Sequence, residues 1–320
     1  MAGILVIAEA QEGALAPISA ELLGAARKLA GEGAGSVTAM VAGTEALAKE
    51  LIALGADAAI AATNPALADA TVDAYLPAVE AALSQTGAEI VLLGQTSLGR
   101  DLGPALAFKY NTAVAMDCVD VKFDGGKLKA TRSAYGGNAR AEVSFKNAPA
   151  IATIKAKSFD ALAADSGRSG PVSTIDAAGA SRVKLLATSK AESAGIRLED
   201  APVVVAGGRG LGDQSAFGML EELASLLKGA TGASRAACDM GWYPPSQQVG
   251  LTGKTVSPNL YIAVAISGAS QHMAGMAGSK NIVAINKDPD ANMVKVSKFA
   301  IIDDYKKVVP ALIEEIKKLG

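Results

Sequence analysis

The sequence predicts a two-domain α/β protein, and three observations carry that reading. The chain has 320 residues, more than one compact core usually holds. Short continuous apolar runs alternate with helix-length amphipathic segments, and glycine-bearing turns follow several of those runs. The first domain is expected over residues 1–189 as a mostly parallel α/β sheet with a hairpin extension. The second, over 190–320, is expected as a smaller open α/β domain.

In the first domain ILVIA (4–8) precedes a helical pattern from Pro17 to Leu29, and VTAMVA (37–42) precedes one from Glu45 to Leu54. AAIAA (58–62) and EIVLLG (89–94) are followed in the same way by Asp69 to Leu83 and Asp101 to Tyr110. Strands of Val, Ile, Leu and Ala without polar alternation are buried on both faces between helices, the pattern of a parallel sheet. Right-handed crossovers then leave few topologies. From Thr112 the pattern changes to alternation with Gly-rich turns, CVDVKFDGGKLKATRSAYGGNARAEVSF and then AIATIKA. We read these as antiparallel hairpins extending the same sheet. Residues 159–200 are rich in Ala, Ser and Gly, with one strand expected at Arg182 to Ala187 and the linker at Thr188 to Gly195.

The second series opens with PVVVAGGRGLG (202–212) and a helix from Gln214 to Lys228. The strands LYIAVAIS (260–267), NIVAIN (281–286) and FAIID (299–303) follow, then a C-terminal helix whose closing Lys317 and Lys318 suit the negative end of a helix dipole.

Composition excludes several function classes. A formal net charge of −2 and a pI near 5.6 give no basic field for nucleic acid or anionic lipid. Cys118 and Cys238 stand far apart with no CxxC, so neither a disulfide framework nor a thiolate metal site is expected, and a reducing, cytoplasmic setting fits. The N-terminus lacks a basic region and meets Glu9 and Glu12 early, and no run reaches the ~20 apolar residues of a membrane span.

The chemistry concentrates between Ser234 and Met276, which holds the only histidine and the only tryptophan. GGRGLG at 207–212 sits between a strand and a helix, but counted from Gly208 the third glycine of a GxGxxG fingerprint falls at Asp213, which disfavours an NAD-dependent dehydrogenase. Its amides and the Arg209 fork can still face a phosphate, or the turn can be purely structural. Gly253-Lys254-Thr255 is no P-loop, because the required first glycine is Gln248. Gly250, Thr252 and Gly253 read either as a ligand-facing loop or as an ordinary surface loop.

A chain with one histidine cannot build a multi-His metal site, and no GxSxG accompanies His272. Following the SGAS turn at a helix start, His272 can donate to an anionic ligand group, or it is a satisfied structural residue. Arg235 is aimed at an aromatic or anionic ligand in a partly desolvated position, or it pairs with Asp239. Trp242 and Tyr243 can stack on a ring or anchor a loop. Asn286 and Asp303-Asp304 fall at strand carboxyl ends, where open α/β sheets bind ligands. GQTSLGRDLG (94–103) is read as structural or partner-facing.

In this order, GGRGLG, SRAACDMGW, QVGLTGK, ISGASQHMAGM, NIVAINKD and DDYKKVVP resemble the α subunits of electron transfer flavoproteins. The resemblance implies a Rossmann-like, doubly wound second domain that binds one FAD, and a first domain that packs on a β subunit, giving a heterodimer. It implies FAD contacts from Arg209, Ser234, Val249, Gly250, Leu251, Thr252, Ser267, Gly268, Ala269, Ser270, Gln271, His272, Asn286, Asp304 and Tyr305, with Arg235 over the isoalloxazine. Two positions depart from the family pattern: Leu251 replaces a glutamine, which removes an amide, and Ser270 replaces a common isoleucine.

By the same resemblance His272 and Arg235 stabilise negative charge at the N1/C2=O edge, Thr252 addresses N5, and Ser267 and Gly268 address the pyrophosphate with helix-dipole support. A charge-assisted hydrogen bond of about 1.5–3 kcal/mol corresponds to roughly 65–130 mV for one electron. The implied activity is that of an electron carrier rather than an enzyme with its own substrate. It passes electrons singly, through a stabilised semiquinone, from flavin dehydrogenases such as those of fatty acid β-oxidation to a membrane quinone oxidoreductase, without inserting in the membrane. The alternative is an electron-bifurcating complex with a second FAD in the β subunit that accepts hydride from NADH. A nucleotide-binding regulatory module is the competing reading from another class.

Overall fold

A computed structural model of the chain describes residues 2–135, 139–187 and 196–318. Its described residues separate into two compact units, one built from 2–134 and 139–187, the other from Tyr135 and 196–318. The linker expected at Thr188 to Gly195 lies outside the described residues.

The first unit begins with β1 (Ile4–Ala8), the small hairpin β2 (Ala10–Gln11) and β3 (Ala14–Leu15), and helix α1 (Pro17–Gly31). It continues through β4 (Val37–Ala42), α2 (Glu45–Ala53), β5 (Ala58–Ala62), α3 (Val72–Thr86), β6 (Ile90–Gly94) and α4 (Ser97–Lys109). The long strands β7 (Val114–Asp124), β8 (Lys127–Ala134) and β9 (Ala139–Ser144) follow, then β10 (Ala150–Ile154) and β11 (Val172–Ile175). Local chemistry starts the helices where the sequence needs them. Pro17 supplies the fixed φ of a first helical residue, and the Thr44 and Thr96 hydroxyls accept the orphan amides of Leu47 and Gly99.

Among the described residues the main sheet runs β11-β5-β4-β1-β6-β10-β7-β8-β9. Its pairs are parallel from β11 to β7, while β7-β8-β9 are antiparallel and form the hairpin extension. Two expectations are corrected. AIATIKA is no hairpin arm: its apolar core is β10, fully buried between β6 and β7 and parallel to both. Its unbroken apolar run is the mark of a central parallel strand. The strand expected at Arg182 to Ala187 does not form, since the segment pairs with no strand and leaves Leu186 exposed. An unexpected edge strand, β11, lies instead beside β5.

The second unit contains β12 (Val203–Gly207), α5 (Phe217–Leu226), β13 (Ala230–Ser234), α6 (Arg235–Asp239) and β14 (Gln248–Val249). Then come β15 (Leu260–Val264), α7 (Ser270–Met276), β16 (Ile282–Asn286), α8 (Asn292–Val296), β17 (Phe299–Ile302) and α9 (Tyr305–Lys318). The helix expected from Gln214 starts as a 3-10 turn and becomes α-helical at Phe217. Tyr305, Val309 and Ile313, four residues apart, form the stripe that α9 buries.

All pairs in this sheet are parallel and its order is β14-β13-β12-β15-β16-β17. Numbered within the unit this is 3-2-1-4-5-6, the doubly wound order, with its direction reversing between β12 and β15. No helix among the described residues is long and apolar enough to cross a membrane.

Candidate functional site

At a reversal of strand order the two following connections diverge to opposite faces and leave a crevice beyond the strand ends. The second unit has a cavity of about 770 Å³ there, within the range of cofactor sites. Close backbone contact defines its floor. The Gly208 amide donates to the Val264 carbonyl at 3.0 Å, and a Cβ on Gly208 would lie 2.2 Å from the Ala265 carbonyl oxygen. Only glycine allows the turn after β12 to rest against the turn after β15.

The opposite wall is the loop after β14. Gly250, with φ of +151°, bends it, and the Leu251 amide donates to the Gln271 carbonyl at 2.8 Å. A Cβ on Gly275 of α7 would lie 2.4 Å from the Gly250 nitrogen, so a glycine on the helix allows the loop to close on it. Gln248 Nε2 donates to the Thr252 hydroxyl at 3.1 Å, and Lys254 pairs with Glu199. The loop is therefore a built wall rather than an ordinary surface loop.

Arg209, Ser234, Arg235, Val249, Gly250, Leu251, Thr252, Ser267, Ala269, Gln271, His272, Asn286 and Tyr305 all line the cavity. Several are held by contacts of their own. Ser234 Oγ caps α6 by accepting from the Ala237 amide, Asn286 Nδ2 donates to the Ile266 carbonyl at 2.9 Å, and Tyr305 Oη donates to the Leu211 carbonyl at 2.6 Å.

Gly268, Ser270 and Asp304 stand off the cavity wall. Gly268, with φ of +80°, turns against α8, where a Cβ would lie 2.3 Å from the Met293 nitrogen. The Ser270 hydroxyl faces Gln271. The Asp304 carboxylate accepts from the Lys306 amide at 3.0 Å and from Lys287 Nζ at 2.9 Å, contacts that in this order hold its pKa below the usual range. Helix α7 has only seven residues, so the dipole support expected for Ser267 and Gly268 is slight, and the local amides are what this turn offers.

Arg235 differs from its expected desolvated position. Its side chain is 69% exposed and its Nε lies 3.3 Å from Asp239 Oδ2, so the Asp239 pairing is what forms. An exposed pair of this kind contributes little stability and leaves the guanidinium free to turn.

His272 is 6% exposed. Its Nε2 lies 2.9 Å from the Tyr261 hydroxyl, and its Nδ1 is buried without a hydrogen-bond partner. Burial pushes the imidazole pKa down to about 4; the Val249 backbone opposes that shift without completing a bond to Nδ1. The ring is neutral at physiological pH.

The sequence reading missed Gln248, Ala265, Ile285 and Lys287 as lining residues. The position of Ile285 and Lys287 at the carboxyl end of β16 carried that signal, whereas Gln248 was hidden because β14 has only two residues and the preceding β13 is poor in bulky ones. Trp242 and Tyr243 do not line the cavity; Tyr243 stacks on Phe217 at 4.5 Å and anchors its loop. In GQTSLGRDLG, Thr96 has a structural role: it caps α4 and donates to Glu9 Oε1 at 2.6 Å, and burial raises the Glu9 pKa.

Residues 4–180 match the electron transfer flavoprotein domain family, and residues 197–277 match the electron transfer flavoprotein FAD-binding domain. The chain is 42% identical over 323 residues to electron transfer flavoprotein subunit alpha of Thermoanaerobacterium thermosaccharolyticum, covering 99% of this chain and 98% of the relative. The chain belongs to the electron transfer flavoprotein α subunits. Identity to the subunit alpha of Bacillus subtilis is 38% over 318 residues, covering 99% and 98% of the two chains, and to that of Mycobacterium tuberculosis 41% over 323 residues, covering 99% of each.

The second unit of this electron transfer flavoprotein α subunit is accordingly its FAD-binding domain, and the cavity fits that group. Two glycine turns bring main chain to its edge, Arg209 supplies a cation, and the buried Nδ1 lacks the partner that a ligand acceptor can supply.

Proposed function

We propose that FAD occupies the cavity at the carboxyl edge of the second sheet, and that the chain pairs with an electron transfer flavoprotein β subunit that supplies the rest of the flavin environment. Bound there, FAD supplies reversible one- and two-electron redox chemistry. The chain's own residues bind and orient it. The Gly208 to Gly210 turn and Arg209 address phosphate, the Val249 to Thr252 loop shields one side, and His272 offers a neutral donor that transfers no proton at physiological pH.

The observation that carries this reading is the orphaned Nδ1 of His272, a buried polar atom of a residue that lines the cavity. An unsatisfied buried donor costs about 1–3 kcal/mol, a cost that a flavin carbonyl would remove. With its one imidazole buried and neutral, the site suits a carrier more than a proton-transfer enzyme. We read the chain as a cytoplasmic carrier that takes electrons from flavin dehydrogenases, acyl-CoA dehydrogenases among them, and delivers them to a quinone oxidoreductase.

Co-expression with a β subunit, followed by an absorbance spectrum and reductive titration, tests the proposal. One FAD per heterodimer with no NADH response is expected. A colourless complex that takes up no added FAD would overturn the site; two flavins and reduction by NADH would move the chain to the bifurcating class.

A further inference from the structure

We propose that Tyr261 is the positioning residue of the flavin site, fixing His272 in the tautomer that carries its proton on Nδ1 and so presents an N–H donor to the cofactor. The inference rests on FAD occupying the cavity, and extends that reading to a residue that touches no ligand.

Tyr261 is the second residue of β15 and 0% exposed. Its hydroxyl reaches across the core to His272 Nε2 at 2.9 Å, and no other side-chain hydrogen bond to that hydroxyl is present among the described residues. The two rings meet edge-on, with centroids 6.2 Å apart. A neutral imidazole has one donor and one acceptor nitrogen, so the pair has two arrangements. If Nε2 carries the proton, it donates to the phenol oxygen; the phenol proton then has no acceptor and the Nδ1 lone pair has no donor. If Nδ1 carries the proton, the phenol donates to Nε2 and a single buried group, Nδ1–H, is left without a completed bond, with the Val249 backbone, which already opposes the fall in the imidazole pKa, as its partner within the chain. Fewer unmet buried groups select the second arrangement.

Burial raises the Tyr261 pKa and lowers that of His272, so both partners stay neutral and the count holds at physiological pH. The consequence is directional. A lone pair at Nδ1 would repel a carbonyl oxygen or an anionic ring edge, whereas an N–H attracts either one. A hydroxyl on a strand behind the site thus decides which kind of ligand atom the histidine accepts.

One histidine in the chain makes the test direct. In the FAD-loaded complex with ¹⁵N-labelled histidine, two-bond ¹H–¹⁵N correlations show which nitrogen is protonated, and the His272→Gln complex identifies the signal. The wild type is expected as the Nδ1–H tautomer. In Tyr261→Phe the ratio of Nδ1–H to Nε2–H should fall on the order of tenfold, the leverage of one ordinary hydrogen bond, and the flavin midpoint potential should move in the direction seen for His272→Gln. Nε2–H in the wild type overturns the proposal even if Tyr261→Phe fails to fold, as does an unchanged ratio in the folded variant. Failure of FAD to bind would instead overturn the site assignment, which the flavin spectrum reports separately.

Discussion

Acid should destabilise the second unit through His272 before its carboxylates protonate. The imidazole has a pKa of about 4 in the folded chain against an ordinary value of 6.5, because burial disfavours its charged form. Between those values the unfolded chain binds a proton that the folded chain refuses, so stability rises with pH across the window. The contribution is fully present above pH 6.5 and is lost progressively as pH falls to about 4. At 1.36 kcal/mol per pKa unit the whole window amounts to about 3 kcal/mol, a large share of the 5–15 kcal/mol that a domain usually has. Glu9 and Glu21 in the first unit have pKa values raised by burial, so their effect has the opposite sign, with stability lost as pH rises. Trp242, the only tryptophan, lies in the second unit and reports its unfolding separately. Urea unfolding of wild type and His272→Gln, followed by Trp242 fluorescence at pH 7 and pH 4.5, isolates the term, because an amide cannot take up the proton. The wild type should lose roughly 2–3 kcal/mol more than the variant over this interval. Equal losses would show that His272 is not held neutral by its surroundings and would remove the basis for treating its nitrogens as one donor and one acceptor.

Two further substitutions probe the walls. Gly275→Ala places a methyl 2.4 Å from the Gly250 nitrogen; it should cost about 1–3 kcal/mol of stability and weaken FAD binding about tenfold or more as the Gly250 to Thr252 loop is displaced, measurable by urea unfolding and by flavin fluorescence titration. Arg235→Ala removes only an exposed pair with Asp239, so stability should change by less than about 0.5 kcal/mol, while a guanidinium that acts on the bound flavin would be exposed by a fall in its midpoint potential. An unchanged potential would leave Arg235 as a surface residue.

The first unit was legible where burial dictated residue type. β1, β4, β5 and β6 coincide with apolar runs because both faces of those strands are covered by helices. Misreadings arose where the same rule was not applied or where its signal is weak. AIATI has the unbroken apolar character of a central strand, but its position after three alternating strands suggested another hairpin arm. β11 and β14 are short, and ATGAS of β13 and QV of β14 hold no bulky aliphatic pair. The site was legible as motifs because glycine and polar residues interrupt an alanine-rich background. Its geometry was not, because neither the Gly208 approach to Ala265 nor the Gly250 approach to Gly275 follows from spacing.

These close approaches explain why the cavity can be both deep and polar at one point. Glycine contacts draw the β12 and β15 turns together and press the β14 loop on α7, so the wall is made of main chain with little side-chain bulk. A histidine on that helix can then be almost fully buried and still belong to the cavity lining. Among the described residues of the second unit, Gln247 Oε1 and His272 Nδ1 are buried side-chain atoms without partners, and of these two residues only His272 lines the cavity. Had the wall been built from larger residues, the ring would have been pushed toward solvent, its pKa would have returned toward the ordinary range, and water would have satisfied Nδ1. The glycine packing is therefore part of the electrostatics of the site: it keeps the imidazole buried and neutral and leaves Nδ1 without a hydrogen bond from the chain.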